Sequence, residues 1–101
     1  MMTITEAATK YGYLWPYDRL VPLNQLLVGE TILVDFDLDS HPISLPFTIS
    51  EIIQDATNPT LGFVQGIIFE KCTEGQFEHK VVITYGRFPT MRLSTSRQIG
   101  P

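Results

Sequence analysis

Thr31-Ile-Leu-Val-Asp-Phe-Asp-Leu-Asp39 decides how the rest of this chain is read. Ile32, Val34, Phe36 and Leu38 fall on one side of an extended backbone. Thr31, Asp35, Asp37 and Asp39 fall on the other, with Leu33 as the exception. Side chains alternate faces along a strand, so the stretch predicts a strand with one dry and one wet face.

The same period recurs on the C-terminal side. Ile43, Leu45, Phe47 and Ile49 alternate with Ser44, Pro46, Thr48 and Ser50. Pro46 has no N–H to give a ladder, so this second strand lies at an edge or carries its proline outward. The phase then slips at Glu51-Ile52-Ile53. A β-bulge accounts for the slip, and a single helical turn over residues 50–55 accounts for it equally well. Residues 61–70 are apolar on both faces, which predicts a central third strand. Gly62 and Gly66 there mark sharp curvature or close backbone approach. After a hairpin loop at 72–76, Phe77, His79, Val81, Ile83 and Tyr85 form the inward set of a fourth strand. A turn at 86–89 leads to a short fifth strand over 90–94, with Met91 and Leu93 inward. The polar residues 95–101 read as a flexible, frayed tail.

On the N-terminal side, Thr3 and Glu6 have capping-box spacing ahead of Ala7 and Ala8. This predicts a short helix over 5–10 that must dock on the sheet. In Tyr11-Gly-Tyr-Leu-Trp-Pro-Tyr17, Tyr11, Tyr13, Trp15 and Tyr17 share one face if extended, and Pro16 excludes a helix interior. Residues 18–25 are a connection, with a turn of helix near 23–26.

The fold class expected is mainly β: a small five-stranded curved sheet or barrel with a short N-terminal helix. One domain spans 1–101, divided into a helix and aromatic segment (1–25), the barrel (26–94) and the tail (95–101). The order of turn, alternating strand, second strand, glycine-bearing central strand, hairpin and short last strand resembles an SH3-like barrel. The resemblance is one of architecture and carries no family motif. A five-stranded barrel of the oligonucleotide-binding type is the alternative.

Composition narrows function. The 101 residues carry seven Lys/Arg against eleven Asp/Glu, a net charge of −4, and are 44% hydrophobic but only 18% charged. So few charges leave apolar surface for a partner to cover. Sparse cations make a poor phosphate footprint, Arg87, Arg92 and Arg97 being the nearest to a cluster. No apolar run reaches the ~20 residues that span a bilayer, and the N-terminus lacks signal-peptide order, so the expected location is cytoplasmic. A lone cysteine, Cys72, cannot form an internal disulfide.

Asp35, Asp37 and Asp39 form an acidic strip that could meet a hard cation. The spacing fails as a calcium loop, because Ser40 and Pro46 stand where glycine and glutamate belong. The strip reads instead as a solvated face, with an acidic docking strip as the alternative, and no metal or cofactor is expected. His41 beside Asp39 has no nucleophile in sequence, and His79 reads as a hydrogen-bonded interior imidazole. Cys72, with Lys71 beside it and Glu74 close by, reads as a bystander thiol. Serine-hydrolase, zinc-protease, Cys-x-x-Cys and phosphate-loop motifs are absent from the sequence.

The expected function is therefore a non-catalytic protein–protein interaction module: an adaptor, subunit or inhibitor, of phage or plasmid type among others. Its partner-binding residues are Tyr11, Tyr13, Trp15, Tyr17, Arg87, Phe88 and Arg92, and homodimerisation through exposed edges is a companion expectation. The first alternative is a nucleic-acid-binding small barrel using Arg87, Arg92, Arg97 and the aromatics. The second is a ligand-binding protein or enzyme with a site near Asp39 and His41.

Overall fold

Five strands dominate the computed structural model: β1 (Thr31–Leu38), β2 (His41–Gln54), β3 (Gly62–Cys72), β4 (Gly75–Tyr85) and β5 (Thr90–Gly100). A 3-10 turn at Leu23–Gln25 precedes them, where the sequence asks for a turn of helix. The structure describes Ile4, Glu6 and residues 20–38 and 41–101, without the side chains of 36–38 and 41–43. The helix expected over 5–10 (Glu6 aside), the aromatic segment 11–17 and Asp39 lie outside the described residues.

The strands pair antiparallel in the order β1-β2-β3-β4-β5, each with its sequence neighbour. β3 is central, as its two apolar faces require. Leu33 of β1 opposes Pro46 of β2, and Pro46 points to solvent. The β2–β3 ladder starts only at Phe47, so no third strand asks Pro46 for a hydrogen bond.

Two expectations are corrected. The sheet is open, not a closed barrel of SH3-like type: among the described residues β1 and β5 stand at opposite edges. An odd number of strands in a meander leaves the first and last running the same way. Closure would need a parallel β1–β5 pair within one chain, slightly weaker per residue than the antiparallel pairs present, and this sheet does not make it. The second correction concerns 95–101. Residues 95–100 continue β5, pairing Thr95, Ser96, Arg97 and Gln98 with Lys80, His79, Glu78 and Phe77. Their side chains are mostly exposed on both sides, so no apolar alternation announces the strand.

The phase slip after Ile49 is a bulge and not a helical turn: the register shifts between Ile49 and Glu51, leaving Ser50 unpaired. A second bulge lies in the β4–β5 ladder, where Lys80 pairs with Thr95 but Val81 with Leu93, leaving Ser94 over. Both sit at the level of the Gly66–Val81 pair. Bulges aligned in this way concentrate bend and twist at one level of the sheet.

Inward side chains, among them Val34, Phe47, Ile49, Val64, Ile68 and Ile83, form one core on one face of the sheet. Ile4, Leu23 and Leu26 cover it. Each such side chain contributes roughly 1.5–3 kcal/mol on leaving water. Gly66 makes room for this packing: a Cβ there would collide with the Thr48 carbonyl oxygen and the Phe47 ring. Gly62 is required for a different reason. Its φ of 145° lies where L-residues rarely go, and a side chain would strike the Ile53 carbonyl.

Candidate functional site

Pairing register sorts the side chains that the core leaves behind. On the outer face, Phe69, Glu78 and Arg97 form one row. Thr31, Thr48, Ile67, Lys80 and Thr95 form the next. Glu51, Gln65, Val82 and Arg92 follow, and Ile53, Phe63, Thr84 and Thr90 close the series. No described element covers these rows. Large apolar side chains collect at the two ends: Leu33 and Phe69 at one, Ile53 and Phe63 at the other, each between 47% and 66% exposed.

Between them runs a polar belt. Thr31 and Thr48 share a hydrogen bond of 2.9 Å between their hydroxyls, and Ser50 donates to the Gln65 carbonyl at 3.2 Å. A depression of about 300 Å³ opens beside the two bulges, lined by Ser50, Gln65, Lys80 and Ser94 among others. A second, of about 250 Å³, lies at the β2–β3 hairpin end against Ile53, Phe63 and Tyr85.

Opposite this face lies the most organised polar group of the molecule. His79 is completely buried. Its Nε2 lies 2.9 Å from Glu70 Oε1 and its Nδ1 lies 2.8 Å from Ser96 Oγ. The Ile4 amide donates to the other oxygen of Glu70 at 2.8 Å. A neutral imidazole with Nε2–H toward the carboxylate leaves Nδ1 to accept the Ser96 hydroxyl; an imidazolium donates at both. Phe77 stacks on the imidazole, with centroids 6.1 Å apart and planes 8° from parallel. Among the described residues no buried side-chain polar atom lacks a partner.

Hydroxyl, imidazole and carboxylate in line is the arrangement of acyl-transfer sites. The depressions beside Ser50 and beside Ile53 lie elsewhere, and neither is lined by Ser96 or His79. The group ties β3, β4, β5 and the segment at Ile4 together. Sequence reasoning placed His79 inward but missed Glu70 and Ser96. Glu70 lies in the inward phase of β3, which was a usable signal. Ser96 sits beyond a bulge that shifts phase, and nothing in the sequence marks it.

The other expected site residues are scattered. The Arg87 guanidinium lies 5.4 Å from the centroid of the exposed Phe88 ring on the β4–β5 turn. Arg92 and Arg97 share the outer face of β5, where Arg97 meets Glu78 at 3.4 Å. Asp35 accepts the Ser44 hydroxyl, and Asp37 is in β1. His41 begins β2, its side chain outside the described set. Among the described residues no group of His, Cys, Asp and Glu has metal-binding geometry. The Cys72 thiol donates to the Gly75 carbonyl at 3.6 Å, and the hydrogen bond with Glu74, more than its burial, pushes its pKa up, away from thiolate. No described helix is long and apolar enough to cross a membrane. Comparison with known proteins gives no match: no family model fits the chain, and no curated protein or solved structure matches it.

Proposed function

We propose that the chain is a non-catalytic protein-binding module whose contact surface is the outer face of its sheet. The observation that supports this is the pairing of an inner face with a buried core and an outer face bearing Leu33, Ile53, Phe63 and Phe69 half to two-thirds exposed. Solvated sheet faces usually carry polar side chains, and exposed apolar clusters rimmed by polar ones mark contact sites. Here the polar rim is Thr31, Thr48, Gln65, Glu78 and Lys80. A protein partner would seal the two apolar ends and meet the belt with hydrogen bonds. Aromatic anchors are the side chains such contacts depend on most, so Phe63 and Phe69 carry the test.

Capture of partners from the native cell on immobilised protein should fail for the double variant Phe63→Ser, Phe69→Ser while its circular dichroism stays that of the parent. Undiminished capture would count against the proposal. The nucleic-acid alternative draws on Arg87, Arg92 and Arg97; Arg92 and Arg97 share one sheet face with each other but also with Glu78 and Glu51 across the ladders. Single-stranded oligonucleotide binding that falls steeply with salt would favour it.

A further inference from the structure

The two edges of the open sheet carry opposite charge. β1 holds Asp35 and Asp37 and no Lys or Arg; β5 holds Arg92 and Arg97 and no Asp or Glu. Among the described residues neither strand has a second strand neighbour, so the outward rows of N–H and C=O groups of both meet no described strand. We propose that β1 of one copy of this chain pairs with β5 of a second copy, giving a head-to-tail assembly. The inference concerns the edges and stands whether or not the outer face binds a different protein.

Three features favour this pairing over others. Like edges disfavour themselves: β1 against β1 sets aspartates together, and β5 against β5 sets arginines together. Unlike edges attract. Pairing within one chain is the competing outcome, and the open sheet does not make it. The inner faces also match. Ile32 on β1 and Leu93 on β5 are both only partly buried and pack at the borders of the core. Joining the edges with inner faces aligned makes a parallel pair, slightly weaker per residue than the antiparallel ladders within the chain but open to two separate copies, and makes the apolar rows continuous across the junction. Arg97 already meets Glu78, at 3.4 Å with its side chain 71% exposed. Arg97 can therefore face a carboxylate on a neighbour without leaving a buried charge behind. A head-to-tail contact uses different surfaces on its two sides, so it extends to a ring or an open chain and does not stop at a symmetric dimer.

The test is a charge exchange read by analytical ultracentrifugation at low ionic strength. Wild-type protein should associate as concentration rises and dissociate as salt is added. Asp35→Lys with Asp37→Lys makes both edges cationic, and Arg92→Glu with Arg97→Glu makes both anionic. Each variant alone should sediment as monomer, and an equimolar mixture should regain association, because its unlike edges again meet. A monomeric wild type, variants that associate as the wild type does, or a mixture that stays monomeric would each overturn the proposal. Circular dichroism checks folding of each variant. If one fails to fold, the single neutral changes Asp35→Asn and Arg92→Gln replace it. Each should then weaken association by about two- to fivefold, as expected for one exposed ion pair, and unchanged association would again overturn it.

Discussion

The two faces of this sheet are made from the same strands, and alternate residues of each strand supply one and then the other. On the inner face every large side chain finds a neighbour. Its buried imidazole, His79, has both ring nitrogens occupied. On the outer face Phe63 and Phe69, chemically the equals of Phe47, meet no covering element among the described residues. Hydrophobicity alone therefore does not decide burial here. Position in a period of two does, together with whether any other segment has been laid over that face. The inner face stabilises the fold; the outer one carries large apolar side chains that the described elements leave exposed.

If that division is right, truncation should hurt very unequally on the two sides. The largest effect belongs to Phe47→Ala. Its ring is fully buried and fills the space left by Gly66. Loss of about 3–5 kcal/mol in urea unfolding is expected, from the lost transfer energy and the cavity together. A loss below about 1 kcal/mol would mean that the inner face collapses around the gap and is not tightly packed.

Glu70→Ala comes next. It removes the acceptor of both His79 Nε2 and the Ile4 amide. A cost of about 1–3 kcal/mol is expected for each polar group left unsatisfied inside. The same variant should speed amide exchange near Ile4, because the contact that pins this segment is gone.

Tyr85 provides a smaller effect with a distinct signature. Burial pushes its phenol pKa up to about 12, and its hydroxyl donates to the Val21 carbonyl. In the unfolded chain the phenol ionises near pH 10, while in the folded chain it still holds its proton. Ionisation therefore favours the unfolded state. The contribution is fully present below pH 10 and is lost as pH rises from about 10 to about 12. The difference in stability between wild type and Tyr85→Phe should shrink across that window. A difference that is flat with pH would show that the hydroxyl is not held in the core.

Much of this division was legible before any coordinates. Strict alternation placed Val34, Phe47, Ile49, Val81, Ile83 and Met91 inward, Gly66 marked curvature or close approach, and the slip at Glu51 marked an irregularity that pattern alone left open between a bulge and a helical turn. What escaped had physical causes. Strand β5 beyond Leu93 buries little on either side, so its residues carry no period to read, and Thr95-Ser96-Arg97 resembles a tail. Curvature suggested closure, but closure depends on strand direction at the two edges, which patterning within single strands does not encode. The Glu70–His79–Ser96 group needed the register of three strands, one of them shifted by a bulge. The outer face was missed for a related reason. Phe63 and Phe69 read as part of a strand covered on both sides, and whether a covering segment exists is a property of the whole chain. The candidate site on Tyr11–Tyr17 rests on residues outside those described.

The most direct measurement is urea unfolding of the double variant Phe63→Ser, Phe69→Ser beside the wild type. An uncovered outer face predicts a midpoint and slope close to wild type, within about 1 kcal/mol, because both rings are already in water. A loss as large as that expected for Phe47→Ala would show that the rings are buried, and with them the claim that this sheet keeps one face open for contact.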